Sequence, residues 1–249
     1  ENSIFSAISS PQGKYLFEFF VVYFDENYFL DCHSSSTKGL MDHLNKYNLG
    51  SKLEIKDLTS KYVVGILNKE KLSEIQDTKK NTFIYRESPI YIDPRENRLG
   101  ARILSPLEKI HLTIKNLKLS IIDEKKYYDN AFKFGIPEQG TENLKNQLFG
   151  LEANFEKLNA IDFKKGCYVG QENTARMKLK NKIRRQLMSI RTEKNVKIGD
   201  EIKYNDNSIG KILIDKPYPF ALINLFNPDF SVFKDKKLKI NDSNVEIIL

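Results

Sequence analysis

From Arg184 to Leu249 the sequence changes rhythm, and that stretch limits the fold more than any other. Gln186–Arg191, Glu201–Tyr204, Ile209–Ile214, Ala221–Phe226, Lys237–Ile240 and Val245–Leu249 read as short strands. Gly199-Asp200, Asn205-Asp206-Asn207, Pro217 with Pro219, and Asn241-Asp242 separate them. Short strands broken this often cannot each bury a face alone, so they close on one another as a small barrel or stack as a sandwich.

Upstream the pattern is mixed. Pro11-Gln12-Gly13 is a turn signal, and Tyr15–Tyr23 follows as an aromatic and β-branched run that suits a half-buried strand. Asp25-Glu26-Asn27 turns the chain so that Tyr28–Cys32 returns as a hairpin partner. Ser34–Ser36 offer an N-cap to a helix carrying Leu40, Met41, Leu44 and Tyr47, ended by Asn48-Leu49-Gly50. Leu53-Glu54-Ile55 reads as another short strand. Further on, Tyr62–Leu67, Thr82–Tyr85 and Ala101–Leu104 are strand candidates, with Asp93-Pro94-Arg95 as a turn. Asp123 caps a helix through Glu124–Phe134, closed by Gly135-Ile136-Pro137. Thr141 and Glu142 open a further helical stretch carrying Leu144, Leu148, Leu151, Phe155 and Leu158, with Gly150 as a break. The order is α+β, with boundaries expected at 1–61, 62–183 and 184–249. Residue 1 is Glu, not Met, and the opening lacks the basic start and apolar block of a signal peptide. Core-like Ile4 and Phe5 so close to that start predict a stretch of fold before it.

Composition excludes several classes. With 249 residues, 40% of them hydrophobic, the chain can bury a core. No apolar run approaches the ~20 residues of a membrane-spanning helix; Tyr15–Leu30 is broken by Glu18, Asp25, Glu26 and Asn27. Two cysteines, Cys32 and Cys167, rule out a multi-bridge secreted scaffold. They also cannot supply the four thiolates of a cluster held by one chain. His33, His43 and His111 are scattered, and no metal spacing is present. Cys32-His33 sits at a strand end, His43 on an exposed helix side, and His111 in a strand-like stretch. The net charge of +7 fits either a solvated surface or an anionic partner such as a polyglutamylated cofactor, nucleic acid or an acidic protein.

One motif carries chemistry: Phe163-Lys164-Lys165-Gly166-Cys167-Tyr168-Val169-Gly170-Gln171-Glu172-Asn173-Thr174-Ala175-Arg176. Glycines on both sides of Cys167 permit tight turns and close approach of a ligand. With no breaker from Gln171 to Leu179, a helix starts just past Gly170. A thiol ahead of a helix N-terminus, near Lys164, Lys165 and Arg176, has its pKa lowered. A small buried hydrophobe is the competing reading of Cys167.

The run KGCYVGQE followed by TAR resembles the signature of the folate-binding YgfZ family, within the superfamily of the glycine-cleavage T-protein, an aminomethyltransferase. Ser10–Lys14 with Phe17–Phe20, Tyr47–Ile55, Asp93-Pro94-Arg95 with Leu99-Gly100, Gly135–Glu138 and Leu151–Asn154 resemble further family segments, so the likeness covers essentially the whole chain.

The resemblance implies a three-lobed, aminomethyltransferase-like α+β fold with a C-terminal small β-barrel, holding tetrahydrofolate or a derivative. It implies a role in assembly or repair of iron–sulfur enzymes, some of them tRNA-modifying, with Cys167 as the functional thiol. The expected partners are a reduced folate and the iron–sulfur machinery or its client enzymes, without a membrane. The location is the bacterial cytoplasm, or the mitochondrial matrix in a eukaryote. Glu152 is the candidate carboxylate for the pterin N–H groups, against the reading of a helix-surface Glu. Tyr127 or Tyr128 is the candidate stacking aromatic, against plain core packing. Lys165, Gln171, Glu172 and Arg176 are further candidates from the motif, and Arg95, Arg98 or Arg176 are candidates for folate's anionic tail. Two departures stand out. Gly39 occupies the place of the T-protein acid, with Asp42 one helical turn later, and Ala131 the place of an Arg common in relatives, with Lys133 nearby.

Three readings therefore compete. The first is a folate-binding iron–sulfur accessory factor, with catalytic turnover left open. The second is a folate-dependent aminomethyl or one-carbon transferase, which needs an acid that Gly39 does not supply. The third is a basic tRNA-associated module resting on Lys178–Arg185, a run without the interleaved aromatics of single-strand recognition.

Overall fold

The computed structural model describes residues 3–50, 53–75, 80–180, 183–241 and 243–248. The chain begins with β1 (Ser3–Ser9), β2 (Tyr15–Phe24), β3 (Asn27–Asp31), α1 (Thr37–Tyr47), β4 (Tyr62–Leu67) and α2 (Lys69–Ile75). Next come β5 (Thr82–Tyr85), β6 (Ser88–Ile92), β7 (Ala101–Pro106), α3 (Ile110–Asn116), α4 (Lys125–Lys133) and α5 (Gln171–Leu179). It ends with β8 (Arg185–Thr192), β9 (Glu201–Tyr204), β10 (Asn207–Ile214), β11 (Phe220–Asn224), α6 (Phe230–Phe233), β12 (Leu238–Ile240) and β13 (Ser243–Ile247). Two compact units share this chain: Glu1–Ser6, Glu18–Tyr127 and Leu158–Ala160 form one, and Ala7–Phe17, Tyr128–Lys157 and Ile161–Leu249 the other.

In the first unit β4, β7, β6 and β5 form an antiparallel sheet in that order. Leu67, Leu72, Ile90, Ala101 and Ile103 pack as its core. The three strands expected here form, and β6 joins them although Pro89 weakened its sequence signal. Residues Arg86 and Glu87, at φ 45° and 65°, close the β5–β6 hairpin between paired Tyr85 and Ser88. Asp25 and Glu26, at φ 48° and 57°, do the same between Phe24 and Asn27, giving the expected β2–β3 hairpin. Two consecutive positive φ values match the right-handed twist of the strands they join.

Four local expectations in this unit fail. Ser36 precedes α1 but makes no capping bond through its side chain. The serines instead form a 3-10 turn, capped by His33 Nδ1, which accepts from the Ser35 backbone N–H at 3.3 Å. Leu53-Glu54-Ile55 is not a strand: among the described residues it pairs with no other strand, and Leu53 is exposed, its carbonyl accepting from Asn48 Nδ2. His111 lies exposed on α3 rather than in a strand, because Ile110–Asn116 buries Thr113 at helical spacing. His43 is half-buried, its ring 5.1 Å from Tyr47 on the same helix face, rather than on the exposed side.

In the second unit the C-terminal strands close into a barrel, β10-β11-β8-β13-β12-β9. The barrel is the closed form of the two arrangements its short strands allowed. Ile190, Ile202, Ile209, Ile212, Ile223, Leu238 and Val245 fill it together with Phe233 of the unexpected helix α6. Asn205 and Asp206, at φ 47° and 64°, turn β9 into β10.

Residues 141–158 are not a helix. Only the 3-10 turn Thr141–Leu144 forms, followed by turns in which Asn146 and Asn154 adopt φ 60° and 63°. Left-handed residues interrupt the helical ladder, yet Leu144, Leu148, Leu151 and Phe155 are buried all the same. Tyr15 of β2 packs on Phe155, ring centroids 5.4 Å apart. Gly150 has no room for a side chain beside Phe155: a Cβ there would lie 2.8 Å from the ring. Among the described residues no helix is long and apolar enough to cross a membrane.

Candidate functional site

The motif folds as a loop feeding a helix. Asp162 Oδ1 accepts from the Lys164 backbone N–H at 2.7 Å and starts the loop. Residues 163–167 are exposed, so Cys167 is a surface thiol rather than a buried hydrophobe. Lys165 Nζ lies 4.8 Å from the centre of the Tyr168 ring, and burial pushes the Tyr168 hydroxyl pKa up. Gly170, at φ 85°, is the residue before α5, and α5 begins at Gln171 as its sequence predicts. Glu172 stands exposed in the first turn, where a negative charge suits the helix dipole. Arg176 is exposed and donates from Nη2 to Asn173 Oδ1 at 3.0 Å. The other cysteine differs. Cys32 is half-buried, its Sγ 3.8 Å from Thr37 Oγ1, and burial pushes its thiol pKa up.

Glu152 is 3% exposed, which excludes a helix-surface carboxylate. Its side chain is already engaged. Arg185 Nε donates to Oε1 at 2.9 Å, Arg185 Nη2 donates to Oε2 at 3.1 Å, and the Phe149 backbone N–H donates to Oε2 at 2.9 Å. An ionised carboxylate offers about four acceptor positions, so one on Oε1 remains. Arg185 opens β8, and the Glu152 carbonyl accepts from the Leu187 N–H at 2.8 Å, which fastens the carboxylate to the barrel. Asn154 Nδ2 donates to the Leu187 carbonyl at 2.8 Å beside it.

Tyr127 and Tyr128 have different partners. In the second unit Tyr128 packs against Tyr218, ring centroids 6.2 Å apart, and Tyr218 donates to Asp129 Oδ1 at 2.8 Å. In the first unit the Tyr127 hydroxyl accepts from Arg95 Nη2 at 3.1 Å and Arg102 Nη1 at 3.2 Å. Those two guanidiniums lie 4.6 and 4.5 Å from the centre of the Phe20 ring. Arg95 is clamped by Asp93 at 3.1 and 2.8 Å. Asp31 Oδ2 accepts from Arg102 Nε at 2.7 Å and from the Tyr91 hydroxyl at 2.6 Å. Burial, then the Asp31 charge, pushes the Tyr91 pKa well above its ordinary value. Of the three arginines weighed for an anionic tail, Arg95 is buried in this network and Arg98 is paired with Glu96 at 2.7 Å. Among the described residues no group of His, Cys, Asp and Glu is arranged to hold a metal ion.

No protein-family model matches the sequence. The iron–sulfur cluster assembly factor IBA57 homolog, mitochondrial, of Dictyostelium discoideum is 32% identical over 71% of this chain and 45% of its own length. The tRNA-modifying protein YgfZ of Buchnera aphidicola is 28% identical over 74% of this chain and 60% of its own. The glycine cleavage system aminomethyltransferase T of Bartonella henselae superposes with a TM-score of 0.68 at 12% identity, covering 99% of this chain and 74% of that one. The chain is a homologue of the IBA57 and YgfZ proteins, and its fold is aminomethyltransferase-like. It spans about half the length of the curated relatives it matches.

Within this aminomethyltransferase-like fold, the two departures take definite places. Gly39 lies inside α1, and Asp42, the nearest acid along that helix, is exposed. Ala131 is fully buried in α4, its carbonyl accepting from the Ile136 N–H at 2.9 Å, while Lys133 ends the helix exposed. Of the basic run Lys178–Arg185, positions 181 and 182 lie outside the described residues. Lys178 itself is paired with Glu156 at 2.5 Å.

Two residues escaped the sequence reading. Arg185 stands far from Glu152 in the chain, and no local pattern couples a strand-start arginine to a buried carboxylate. Asn173, in the middle of the motif, donates from Nδ2 to the Gln12 carbonyl at 2.8 Å. Both segments carried signals, but nothing in sequence ties one to the other.

Proposed function

We propose that this chain serves iron–sulfur cluster assembly or repair, binding a reduced folate and acting through the Cys167 thiol. The carrying observation is the exposure of Cys167 on a loop anchored at the start of α5, in a chain homologous to proteins named as iron–sulfur assembly factors. An exposed thiolate can meet a cluster, or a cysteine of a partner, without local unfolding. The cluster is cargo here.

In this reading a pterin edge meets the second unit at Glu152. In the same reading the open position on Glu152 Oε1 accepts one ring N–H, while Arg185, 41% exposed at its side chain, holds the carboxylate oriented. A bound tetrahydrofolate supplies a reduced, readily oxidised heterocycle. Tyr128 offers the second unit an aromatic face, whereas the Tyr127 hydroxyl is committed to two arginines. Lys165, two residues before Cys167, and Gln171, Glu172 and Arg176 of α5 are the polar groups this reading assigns to the motif. Gly39, in the place of the T-protein acid, favours an accessory role over aminomethyl transfer. Client enzymes that modify tRNA fit the name of the Buchnera relative, a tRNA-modifying protein. The site of action in this reading is the bacterial cytoplasm, or the mitochondrial matrix in a eukaryote.

The test is complementation of a strain lacking its own homologue. Cys167→Ala should fail to restore cluster-enzyme activity while accumulating to wild-type level; full rescue removes the thiol from the proposal. Calorimetric titration with reduced folates should show affinity falling about tenfold or more in Glu152→Ala, the loss of a charge-assisted hydrogen bond. Equal affinity in the two proteins removes Glu152. Detecting methylene-tetrahydrofolate formed from an aminomethyl donor would instead favour the transferase.

A further inference from the structure

The Pro11-Gln12-Gly13 turn lies against the cysteine loop at a distance that only glycine permits. A Cβ on Gly170 would fall 2.6 Å from the Ser10 carbonyl oxygen and 2.9 Å from the Gly13 Cα. A Cβ on Gly13 would fall 3.1 Å from Thr174 Oγ1 and 3.2 Å from the Gly170 carbonyl oxygen. Both glycines also have positive φ, 80° and 85°. Polar contacts fasten the same surfaces. Asn173 Nδ2 donates to the Gln12 carbonyl at 2.8 Å, and Thr174 Oγ1 donates to the Gly170 carbonyl at 2.9 Å. The turn is itself rigid: Ser10 Oγ accepts from the backbone N–H groups of Gln12 and Lys14 at 3.2 and 3.3 Å, and the Gly13 N–H donates to the Ser10 carbonyl at 2.7 Å.

The opposite side of this turn touches the carboxylate segment. The Gly150 N–H donates to the Gly13 carbonyl at 3.2 Å, and Lys14 bridges Phe149. The Phe149 N–H donates to Glu152 Oε2, the oxygen that Arg185 Nη2 also reaches. An unbroken path of hydrogen bonds and backbone contact therefore runs from Asn173 and Gly170 through Gly13 to Phe149 and Glu152. Every residue in it belongs to the second unit.

We propose that the Pro11–Gly13 turn is the positioning element that holds the Cys167 loop in fixed register with the Glu152 carboxylate, with Asn173 as the positioning residue on the loop side. The motif supplies the thiol, and the turn sets where it is presented. Without the turn, the exposed stretch 163–167 keeps among the described residues its Asx turn at Asp162 and the contacts of Lys178 with the Phe163 ring and of Lys165 with the Tyr168 ring. The importance of that register rests on the iron–sulfur reading above; the register itself does not.

The experiment is amide hydrogen exchange on the full chain, read separately over residues 163–170 and 146–152, beside tryptic cleavage after Lys164 and Lys165. Asn173→Ala removes the bond to the Gln12 carbonyl, together with the exposed acceptor of Arg176 Nη2, and should speed exchange and cleavage of the loop roughly fivefold, leaving exchange over 146–152 unchanged. Asn173→Asp places an acceptor against the Gln12 carbonyl and should loosen the loop more than Ala does. Gly13→Ala should loosen both segments together, because the turn faces both. Unchanged loop exchange in Asn173→Asp, or loosening of 163–170 without 146–152 in Gly13→Ala, overturns the proposal. The same variants in the complementation assay separate it from the functional reading. If exchange behaves as expected while Cys167→Ala still complements, the register stands and the thiol role fails. If Cys167→Ala abolishes function while exchange is unaltered, the reverse holds.

Discussion

Asp31 is the residue whose loss the first unit should feel most. Its Oδ2 takes both the Arg102 guanidinium at 2.7 Å and the Tyr91 hydroxyl at 2.6 Å. Tyr91 is fully buried and the Arg102 side chain is 11% exposed, so water cannot replace the carboxylate at either group. In Asp31→Ala the guanidinium keeps only its bond to Tyr127 and its face on Phe20. Breaking a buried pair from one side costs about 3–5 kcal/mol, and the orphaned tyrosine hydroxyl adds about 1–3 kcal/mol. Because the Tyr127 bond survives, a total of about 4 kcal/mol is expected, a large part of a typical stability of roughly 5–15 kcal/mol. Urea unfolding followed by a first-unit probe measures it. The double variant Asp31→Ala/Arg102→Met should be more stable than Asp31→Ala alone, since it removes the stranded charge. A loss under about 1 kcal/mol, or strictly additive effects in the double variant, refutes the argument that this network is sealed from solvent.

Three further outcomes follow from the same contacts. Burial and the neighbouring Asp31 raise the Tyr91 pKa, so the folded chain keeps a proton that an unfolded tyrosine releases near its ordinary value of about 10. Stability should therefore hold below pH ~10 and fall as pH rises through it, and Tyr91→Phe should flatten that alkaline slope. In thiol labelling, exposed Cys167 should react in a fast phase that Cys167→Ser abolishes, whereas half-buried Cys32, its pKa raised by burial, should react slowly and gain rate above pH ~9; equal rates at pH 8 would count against the two environments. Glu26→Gly, at φ 57° in the β2–β3 turn, should raise the urea midpoint by an amount worth roughly 0.5–1 kcal/mol, and a lower midpoint would contradict the turn assignment.

What was legible in the sequence was local. The β2–β3 hairpin, β4, β5, β7, the barrel strands and the start of α5 all announce themselves through alternation, turn residues or glycine, signals that act within a few residues. The motif around Cys167 was legible in the same way, as one contiguous run. Where local signals conflicted, the sequence misled. The leucines from Leu144 to Leu158 keep helical spacing, yet left-handed Asn146 and Asn154 break the ladder and the apolar side chains are buried from turns instead. Leu53-Glu54-Ile55 has the composition of a strand but, among the described residues, pairs with no other strand.

Tertiary structure alone decided the contacts between distant segments. Arg185 meets Glu152, Asn173 meets Gln12, Gly13 meets Gly170, and Asp31 joins Tyr91 to Arg102. Each depends on two backbones approaching to within hydrogen-bond or van der Waals distance. That approach is set by the closing of the barrel and the packing of each unit's core. Neighbouring residues in a chain carry the preference for a turn or a strand, but which carboxylate receives a given arginine is fixed only once the fold has brought them together.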